Sequence, residues 1–194
     1  MKKLILASQS PRRRELLSQL GYQFSTCPAD IDETARMDES SVEYVERLAL
    51  EKAQYIAKNQ SDTTLVLGSD TCVVYQGKIL GKPKNLAQCI EHLTMLSGNT
   101  HQVLTAIAVV QGKFSNSVVV STDVEFKALS KKEIVNYWQT GEPQDKAGSY
   151  GIQGIAGQFV KQISGSYSAV VGLPLYETAQ LLAEFSLPTS VQRV

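Results

Sequence analysis

The sequence has few residues of the kinds that form cross-links or hold transition metals. Of its 194 residues, three are cysteines and two are histidines. Cys27, Cys72 and Cys89 are widely spaced and form no C-x-x-C pair, so no disulfide framework is expected. With only His92 and His101 as imidazoles, a structural zinc site is not expected either. We expect three buried or half-buried thiols, none of them a nucleophile.

The sequence also lacks an excess of charge of either sign and any long apolar run. Lys and Arg number 19, as do Asp and Glu, which gives a formal net charge of zero. Neither a basic coat for nucleic acid nor an acidic solvating tail is therefore expected. No apolar run approaches the ~20 residues that cross a bilayer. The apolar run over 4–7 is shorter than the ~7–15 residues of a signal peptide, so we expect a cytoplasmic protein.

Strand-like and helix-like segments alternate along the chain, which indicates a mixed α/β fold. Apolar runs between turn signals predict strands over 3–7, 65–68, 72–75, 78–80, 103–110, 117–129 and 159–163. Caps and apolar periodicity predict helices over 11–20, 42–58, 85–97, 131–138 and 174–185. Because hairpins occur beside crossovers, the sheet should contain parallel and antiparallel strands. The length suits one domain over 1–194.

A basic turn opens the first predicted helix and is the first candidate binding site. Ser10 and Pro11 fit the N-cap and first helical positions, and Arg12, Arg13 and Arg14 follow. A helix N-terminus carries a partial positive charge and unpaired N–H groups. Arginines there have the wrong sign for helix stability, which indicates that an anion such as phosphate neutralises them. The alternative is a solvated basic turn.

Two acids and one lysine elsewhere suit a metal and phosphates. Asp70 follows the strand predicted over 65–68, and in α/β proteins the carboxyl ends of strands open onto ligand clefts. Glu33 supplies a second carboxylate, and Mg²⁺ often takes one or two carboxylates together with substrate phosphates. The alternatives are a helix-capping acid and a solvated acidic loop. Lys82 in GKILGKP is a point charge suited to phosphate, although the spacing and the proline exclude a P-loop.

A glycine-rich segment, DKAGSYGIQG at 145–154, is the last candidate. Its three glycines let the backbone approach a ligand closely. Gln153 carries both a donor and an acceptor, which matches the edge of a nucleobase. Taken alone, this is only a glycine-rich loop, and most such loops are turns.

Together these segments resemble the Maf family of nucleoside triphosphate pyrophosphatases. The shared blocks keep the family's order and span nearly the whole chain: LILASQSPRRRELL at 4–17, DIDE at 30–33, LALEKA at 48–53, LGSDT at 67–71, GKP at 81–83, LSGNTHQVLTA at 96–106, DKAGSYGIQG at 145–154 and VVGLPL at 170–175. The resemblance implies a bent mixed β-sheet flanked by helices, with two lobes and a central cleft, related to inosine triphosphate pyrophosphatases. It also implies a homodimer and a divalent metal, Mg²⁺ or Mn²⁺.

The resemblance further implies roles for individual residues. Arg12, Thr71 and Gln153 match the branch that acts on dTTP and UTP, whereas the 7-methyl-GTP branch has tryptophan, glutamine and glutamate there. Asp70 would be the general base and, with Glu33, a metal ligand. The implied activity is hydrolysis of dTTP and UTP to the monophosphate and pyrophosphate, as house-cleaning of the nucleotide pool.

The resemblance also places Arg13, Lys52 and Lys82 with Arg12 as phosphate ligands. For Lys52 the alternative is an ordinary helix lysine whose stem lies along apolar surface. Two alternatives to the enzyme stay open: a nucleotide-binding regulator of cell division without turnover, and a nucleic-acid binder that uses the arginine cluster. The zero net charge counts against the second.

Overall fold

The structure, a computed structural model, describes residues 2–189 and 191. The strands of this part are β1 Leu4–Leu6, β2 Ser25–Thr26, β3 Leu65–Tyr75, β4 Lys78–Leu80, β5 Thr100–Gln111, β6 Phe114–Phe126 and β7 Val160–Ser164. Its α-helices are α1 Pro11–Gln19, α2 Ser41–Ala57, α3 Leu86–Leu96, α4 Lys131–Gln139, α5 Tyr167–Val171 and α6 Leu175–Glu184. Three short 3-10 helices span Glu142–Asp145, Ala147–Ser149 and Ile155–Phe159.

The strands of the described chain form one mixed sheet. Their order is β2-β1-β3-β5-β6-β7, with β4 paired to β3. β1 runs parallel to β2 and to β3, whereas the pairs β3–β4 and β6–β7 are antiparallel. The predicted mixture of parallel and antiparallel strands is confirmed. Strands joined by a helical crossover run parallel to each other. The tight turn at Gln76 and Gly77 instead reverses the chain, so β4 runs antiparallel to β3.

Side-chain caps begin the helices where the sequence predicts them. Ser10 accepts a hydrogen bond from the backbone N–H of Arg13 at the start of α1. Capping boxes begin α2 at Ser40 and α4 at Ser130. Each cap supplies an acceptor to an N–H group that has no partner within its helix. The helix starts are therefore set locally, and tertiary contacts are not needed to explain them.

Two compact units divide the described residues. The first unit consists of the described residues within Met1–Asp70, Thr105–Val120 and Gly172–Val194. The second consists of those within Thr71–Leu104 and Ser121–Val171. Two units agree with the two lobes that the resemblance implies, and a single domain over the whole chain stays a prediction. In the first unit an apolar cluster joins β1, β3, β5 and α2: Ile5, Ala7, Ala53, Ile56, Val66 and Val110. The second unit has a cluster rich in aromatic rings, which includes Phe126, Tyr137, Tyr150 and Phe159.

The predicted break between strands at Ser69, Asp70 and Thr71 is wrong, because β3 runs through all three residues. Polar side chains inside a buried strand are tolerated when they have partners. The Ser69 hydroxyl donates to the carbonyl of Gly172 at 3.0 Å, and Asp70 pairs with Lys52. Asp70 therefore lies within a strand rather than beyond its end.

Smaller differences concern the second half of the chain. The helix α5 is absent from the prediction, and the segment predicted as a loop over 142–158 contains the three 3-10 helices. The cysteines are reduced as expected, with Cys27 half-buried and Cys72 and Cys89 buried. Within residues 2–189 and at 191, no helix has the length and apolar character needed to span a membrane.

Candidate active site

Asp70 is a buried acid that lies at the centre of a group of charged side chains in the first unit. Its Oδ1 atom is 2.6 Å from Nζ of Lys52, and each residue is only 7% exposed. The same Nζ is 2.7 Å from Oε1 of Glu33. One ammonium thus joins two carboxylates that come from β3 and from the loop before α2. Lys52 is not a helix lysine that reaches solvent, so this alternative is wrong.

A close approach of α2 to β3 brings Lys52 and Asp70 together. A Cβ atom on Gly68 would lie 2.0 Å from the carbonyl oxygen of Ala49, so only glycine allows this approach. Residues two apart on a strand share a face, as do residues three apart on a helix. Asp70 follows Gly68 by two and Lys52 follows Ala49 by three, so both side chains lie at this contact.

Arg13 is the third charged neighbour of Asp70. Its Nε donates to the carbonyl of Gly172 at 2.9 Å, the same carbonyl that accepts from Ser69. The guanidinium of Arg13, at the start of α1, is therefore held next to Ser69, which directly precedes Asp70. Arg12 is close enough that its charge lowers the pKa of Arg13. Two guanidinium groups thus lie close together at the N-terminus of α1, and the anion that the sequence predicts at this turn stays a prediction.

Burial and charge act in opposite directions on the ionisation of these groups. Burial raises the pKa of Asp70 above its ordinary value, while Lys52 and Arg13 oppose that rise and Glu33 adds to it. Burial also lowers the pKa of Arg13, and the charge of Asp70 opposes that decrease. A carboxylate with a raised pKa is a better proton acceptor near neutral pH than an exposed one. The environment of Asp70 therefore suits a general base.

Asp70 and Glu33 are the two carboxylates of this group that could hold a divalent metal. Asp70 and Glu33 direct oxygens at one common ammonium, so their carboxylates face the same point. Among the residues that the structure describes, no group of three or more His, Cys, Asp and Glu side chains forms a metal site. Mg²⁺ commonly takes one or two carboxylates and completes its shell with water and phosphate oxygens. A divalent metal at Asp70 and Glu33 stays a prediction.

The remaining predicted site residues belong to the second unit. Thr71 follows Asp70 directly on β3 and is half-buried. Lys82, which follows β4, and Gln153, in the glycine-rich segment, are exposed. The structure thus brings Arg13, Lys52, Asp70 and Glu33 together: their contacts are all within the first unit. The roles of Thr71, Lys82 and Gln153 stay predictions.

Glu142 anchors the glycine-rich segment and was not identified from the sequence. Its carboxylate accepts from the N–H groups of Ile155 at 2.7 Å and Ala156 at 3.2 Å, and from the hydroxyl of Tyr137 at 2.9 Å. A Cβ atom on Gly154 would lie 2.3 Å from Oε2 of this carboxylate. Any larger residue at this position would force the carboxylate of Glu142 or the backbone to move. No local pattern distinguishes such an acid from a solvated one.

A second set of contacts fixes the other end of the same segment. Ser149 is fully buried in a left-handed conformation with φ 66°, and its hydroxyl lies 2.9 Å from Nδ1 of His92. The N–H of Gly148 donates to the carbonyl of Gly81 at 3.1 Å, immediately before Lys82. The glycine-rich segment and the loop that carries Lys82 are therefore held together within the second unit.

Two solved structures resemble parts of the chain. One is a nucleoside-triphosphatase (dITP/XTP pyrophosphatase) from Mycobacterium abscessus, with 16% identity and a TM-score of 0.41. The other is the Ham1 protein of Staphylococcus aureus, with 16% identity and a TM-score of 0.46. Each match covers 64% of this chain and 72% of the other chain.

Much closer relatives are found by sequence. The chain is 63% identical to a dTTP/UTP pyrophosphatase of Colwellia psychrerythraea, over 97% of this chain and 91% of that protein. It is 56% identical to a dTTP/UTP pyrophosphatase of Vibrio vulnificus, over 95% of this chain and 100% of that protein. The family model described as "Maf-like protein" matches residues 3–185. The resemblance noted in the sequence is thus confirmed, and the chain belongs to the Maf family.

Proposed function

We propose that this chain hydrolyses dTTP and UTP to the nucleoside monophosphate and pyrophosphate. The observation that carries the proposal is the buried Asp70, held by Lys52 beside Arg13, in a Maf-family chain. Relatives at 63% and 56% identity over nearly the whole chain are named dTTP/UTP pyrophosphatases, which supports the choice of substrate. The role is that of a cytoplasmic house-cleaning enzyme, and the family resemblance favours a homodimer.

In the proposed reaction, water attacks the α-phosphorus of the nucleotide. A new bond forms between the water oxygen and phosphorus, and the bond from phosphorus to the α–β bridging oxygen breaks. Pyrophosphate leaves with the electron pair of that bond, and Asp70 accepts a proton from the attacking water. Lys52 holds the carboxylate of Asp70 in place and favours its ionised form.

The neighbouring charges neutralise the triphosphate. Arg12 and Arg13 bind phosphate oxygens at the N-terminus of α1, where the helix dipole adds to their charge. Lys82 is proposed as a further phosphate ligand, and Lys52 as one that also orients Asp70. Asp70 and Glu33 would hold Mg²⁺ or Mn²⁺, which when bound neutralises phosphate charge and lowers the pKa of bound water.

Base selection is assigned to Arg12, Thr71 and Gln153. The imide edge of uracil or thymine offers acceptors and a donor, which a carboxamide such as Gln153 matches with one donor and one acceptor. In a site built this way, a wrong base leaves polar groups unpaired, which discriminates by up to ~10⁴-fold. Gln153→Glu should therefore lower the rate with UTP relative to ATP, whereas Gln144→Glu, at an exposed position of the same unit, should not.

Product analysis tests the proposal directly. Wild-type protein incubated with Mg²⁺ and UTP or dTTP should release UMP or dTMP together with pyrophosphate. ATP, GTP and 7-methyl-GTP should be hydrolysed much more slowly. Initial release of orthophosphate and a nucleoside diphosphate would contradict the proposal. Binding of UTP with no catalytic release of pyrophosphate would favour the regulatory alternative.

A further inference from the structure

We propose that Arg47 is a positioning residue that holds the loop over 33–40 against α2 and thereby fixes the carboxylate of Glu33 beside Lys52 and Asp70. The inference rests on the proposed function, because it concerns the same site. In this proposal Arg47 of α2 places the carboxylate of Glu33, the second of the two carboxylates that contact Lys52.

Arg47 binds the loop at several points at once. Its Nε is 2.5 Å from Oε1 of Glu39, and its Nη2 is 2.8 Å from Oε2 of the same carboxylate. Nη2 also donates to the carbonyl of Thr34 at 3.2 Å, and Nη1 donates to Glu51 at 3.1 Å. Only a guanidinium offers this planar fork of donors, since an ammonium is a single point charge. Both ends of the loop are therefore tied to one side chain.

The contact between Arg47 and Glu39 is not an ordinary surface ion pair. The two side chains are 12% and 7% exposed, whereas the side chain of Arg36 in the same loop is 65% exposed. An exposed pair contributes little to stability, but removal of one partner from a shielded pair leaves the other charge without compensation. The loop is therefore held in one place at Glu39, and opening it would separate shielded charges.

The same face of α2 holds the main chain at Glu33. The hydroxyl of Tyr44 donates to the carbonyl of Glu33 at 3.1 Å, and Arg47 donates to the next carbonyl, that of Thr34. Tyr44 precedes Arg47 by three residues, so both lie on one side of the helix. The guanidinium of Arg47 also lies 5.7 Å from the centre of the Tyr44 ring. Two successive carbonyls are thus fixed by two adjacent side chains.

These main-chain contacts determine where the carboxylate of Glu33 lies. The Glu33 side chain is 51% exposed, so burial alone does not fix it. Its Oε1 nevertheless lies 2.7 Å from Nζ of Lys52, which follows Arg47 by five residues on α2. α2 therefore supplies both Lys52, which contacts the carboxylates directly, and Arg47, which places the main chain that carries one of them.

Hydrogen–deuterium exchange tests the structural half of the inference without any reaction. The N–H of Arg36 donates to Oε2 of Glu39, so its exchange reports whether the carboxylate is in place. Arg47→Met should accelerate exchange over 33–40 in the purified protein. The matched control is Arg36→Met, which removes an exposed arginine that also pairs with Glu51 and should leave the loop protected. Glu39→Gln provides a second variant should Arg47→Met not fold. Unchanged exchange in both variants would overturn the inference.

A double-mutant cycle tests the functional half. Arg47→Met should lower kcat/KM for UTP by roughly 10–100-fold, the usual effect of removing a group that orients a ligand. Glu33→Gln with Arg47→Met should be no slower than Glu33→Gln alone, because Arg47 acts through Glu33. Arg36→Met should retain wild-type activity. Losses that add in the double variant, or full activity in Arg47→Met, would overturn the inference.

The outcomes separate this inference from the proposed function. A wild-type protein that hydrolyses neither UTP nor dTTP contradicts the proposed function, and the exchange measurement still decides whether Arg47 holds the loop. An active wild-type protein with additive losses contradicts only the role of Arg47. No effect of Glu33→Gln itself would remove the reason for positioning Glu33 and would also overturn the inference.

Discussion

Nζ of Lys52 lies 2.6 Å from Oδ1 of Asp70, and both side chains are buried between α2 and β3. A buried carboxylate without a cation would be strongly disfavoured as an ion. The pair therefore keeps a charged oxygen inside the fold, where it can act on water. The close approach of α2 to β3 at Gly68 makes the pair possible.

Asp70→Asn should abolish turnover while the fold is retained. The substitution keeps size and hydrogen bonding but removes the charge that accepts a proton, and loss of a general base typically costs roughly 10²–10⁴-fold in rate. UTP binding should persist, because repulsion of the triphosphate decreases. Steady-state hydrolysis and calorimetric binding of UTP measure the two effects. Near-full activity in a folded variant would make Asp70 a structural acid and would direct attention to Glu33.

Replacing Lys52 should change the pH dependence of the reaction. Burial raises the pKa of Asp70, and Lys52 is the foremost of the groups that oppose this rise. Without its charge the pKa of Asp70 increases further, so the acid limb of kcat/KM against pH should move to higher pH in Lys52→Met. Lys52→Arg should move the limb back, and Lys58→Met, at an exposed residue after α2, should not move it. If the acid limb stays at the same pH in Lys52→Met, then this limb does not reflect the ionisation of Asp70.

Local sequence signals predicted most elements of this fold. The caps at Ser10, Ser40 and Ser130 are short-range hydrogen bonds, so a few neighbouring residues suffice to predict where α1, α2 and α4 begin. The extent of β3 was not predicted, because its polar residues resemble a strand end. Their partners, Gly172 and Lys52, are distant in sequence and become visible only in the folded chain.

The site was predicted to the extent that its residues lie in recognisable motifs. Asp70 and Glu33 were recognised from such blocks, and the structure adds that both contact the ammonium of Lys52. Glu142 was missed because it binds main-chain N–H groups, which leave no trace in the identity of the residues that carry them. Arg47 was missed because its contacts with Glu39 and with the carbonyl of Thr34 are visible only in the folded chain. Such positioning residues need three-dimensional contacts to be found.

Glu39 should make folding stability depend on pH in the acid range. Its hydrogen bond from Arg47 holds its pKa at about 2 in the folded protein, below the ordinary value of 4.5. A lowered pKa contributes stability that is fully present above 4.5 and is lost as the pH falls through about 2. Glu39→Gln should therefore destabilise the protein at pH 7, and the difference from wild type should shrink between pH 4.5 and 2. Urea unfolding at pH 7 and near pH 3 measures this, and a difference that does not change with pH would contradict it.

Gly154→Ala should disturb the glycine-rich segment through Glu142. The new Cβ would lie 2.3 Å from Oε2 of Glu142, so either the carboxylate or the backbone must move. Moving the carboxylate weakens its hydrogen bonds to the N–H groups of Ile155 and Ala156. Gly154→Ala should therefore lower the melting temperature of the protein.

The same substitution should also lower base selectivity, because Gln153 immediately precedes Gly154. Thermal unfolding and the ratio of kcat/KM for UTP to that for ATP measure the two consequences in one protein. Gln144→Ala, at an exposed position near Glu142, serves as the control and should change neither. If Gly154→Ala lowered the melting temperature but kept the wild-type ratio, the segment would be structurally anchored as described, while the base would be recognised by other residues.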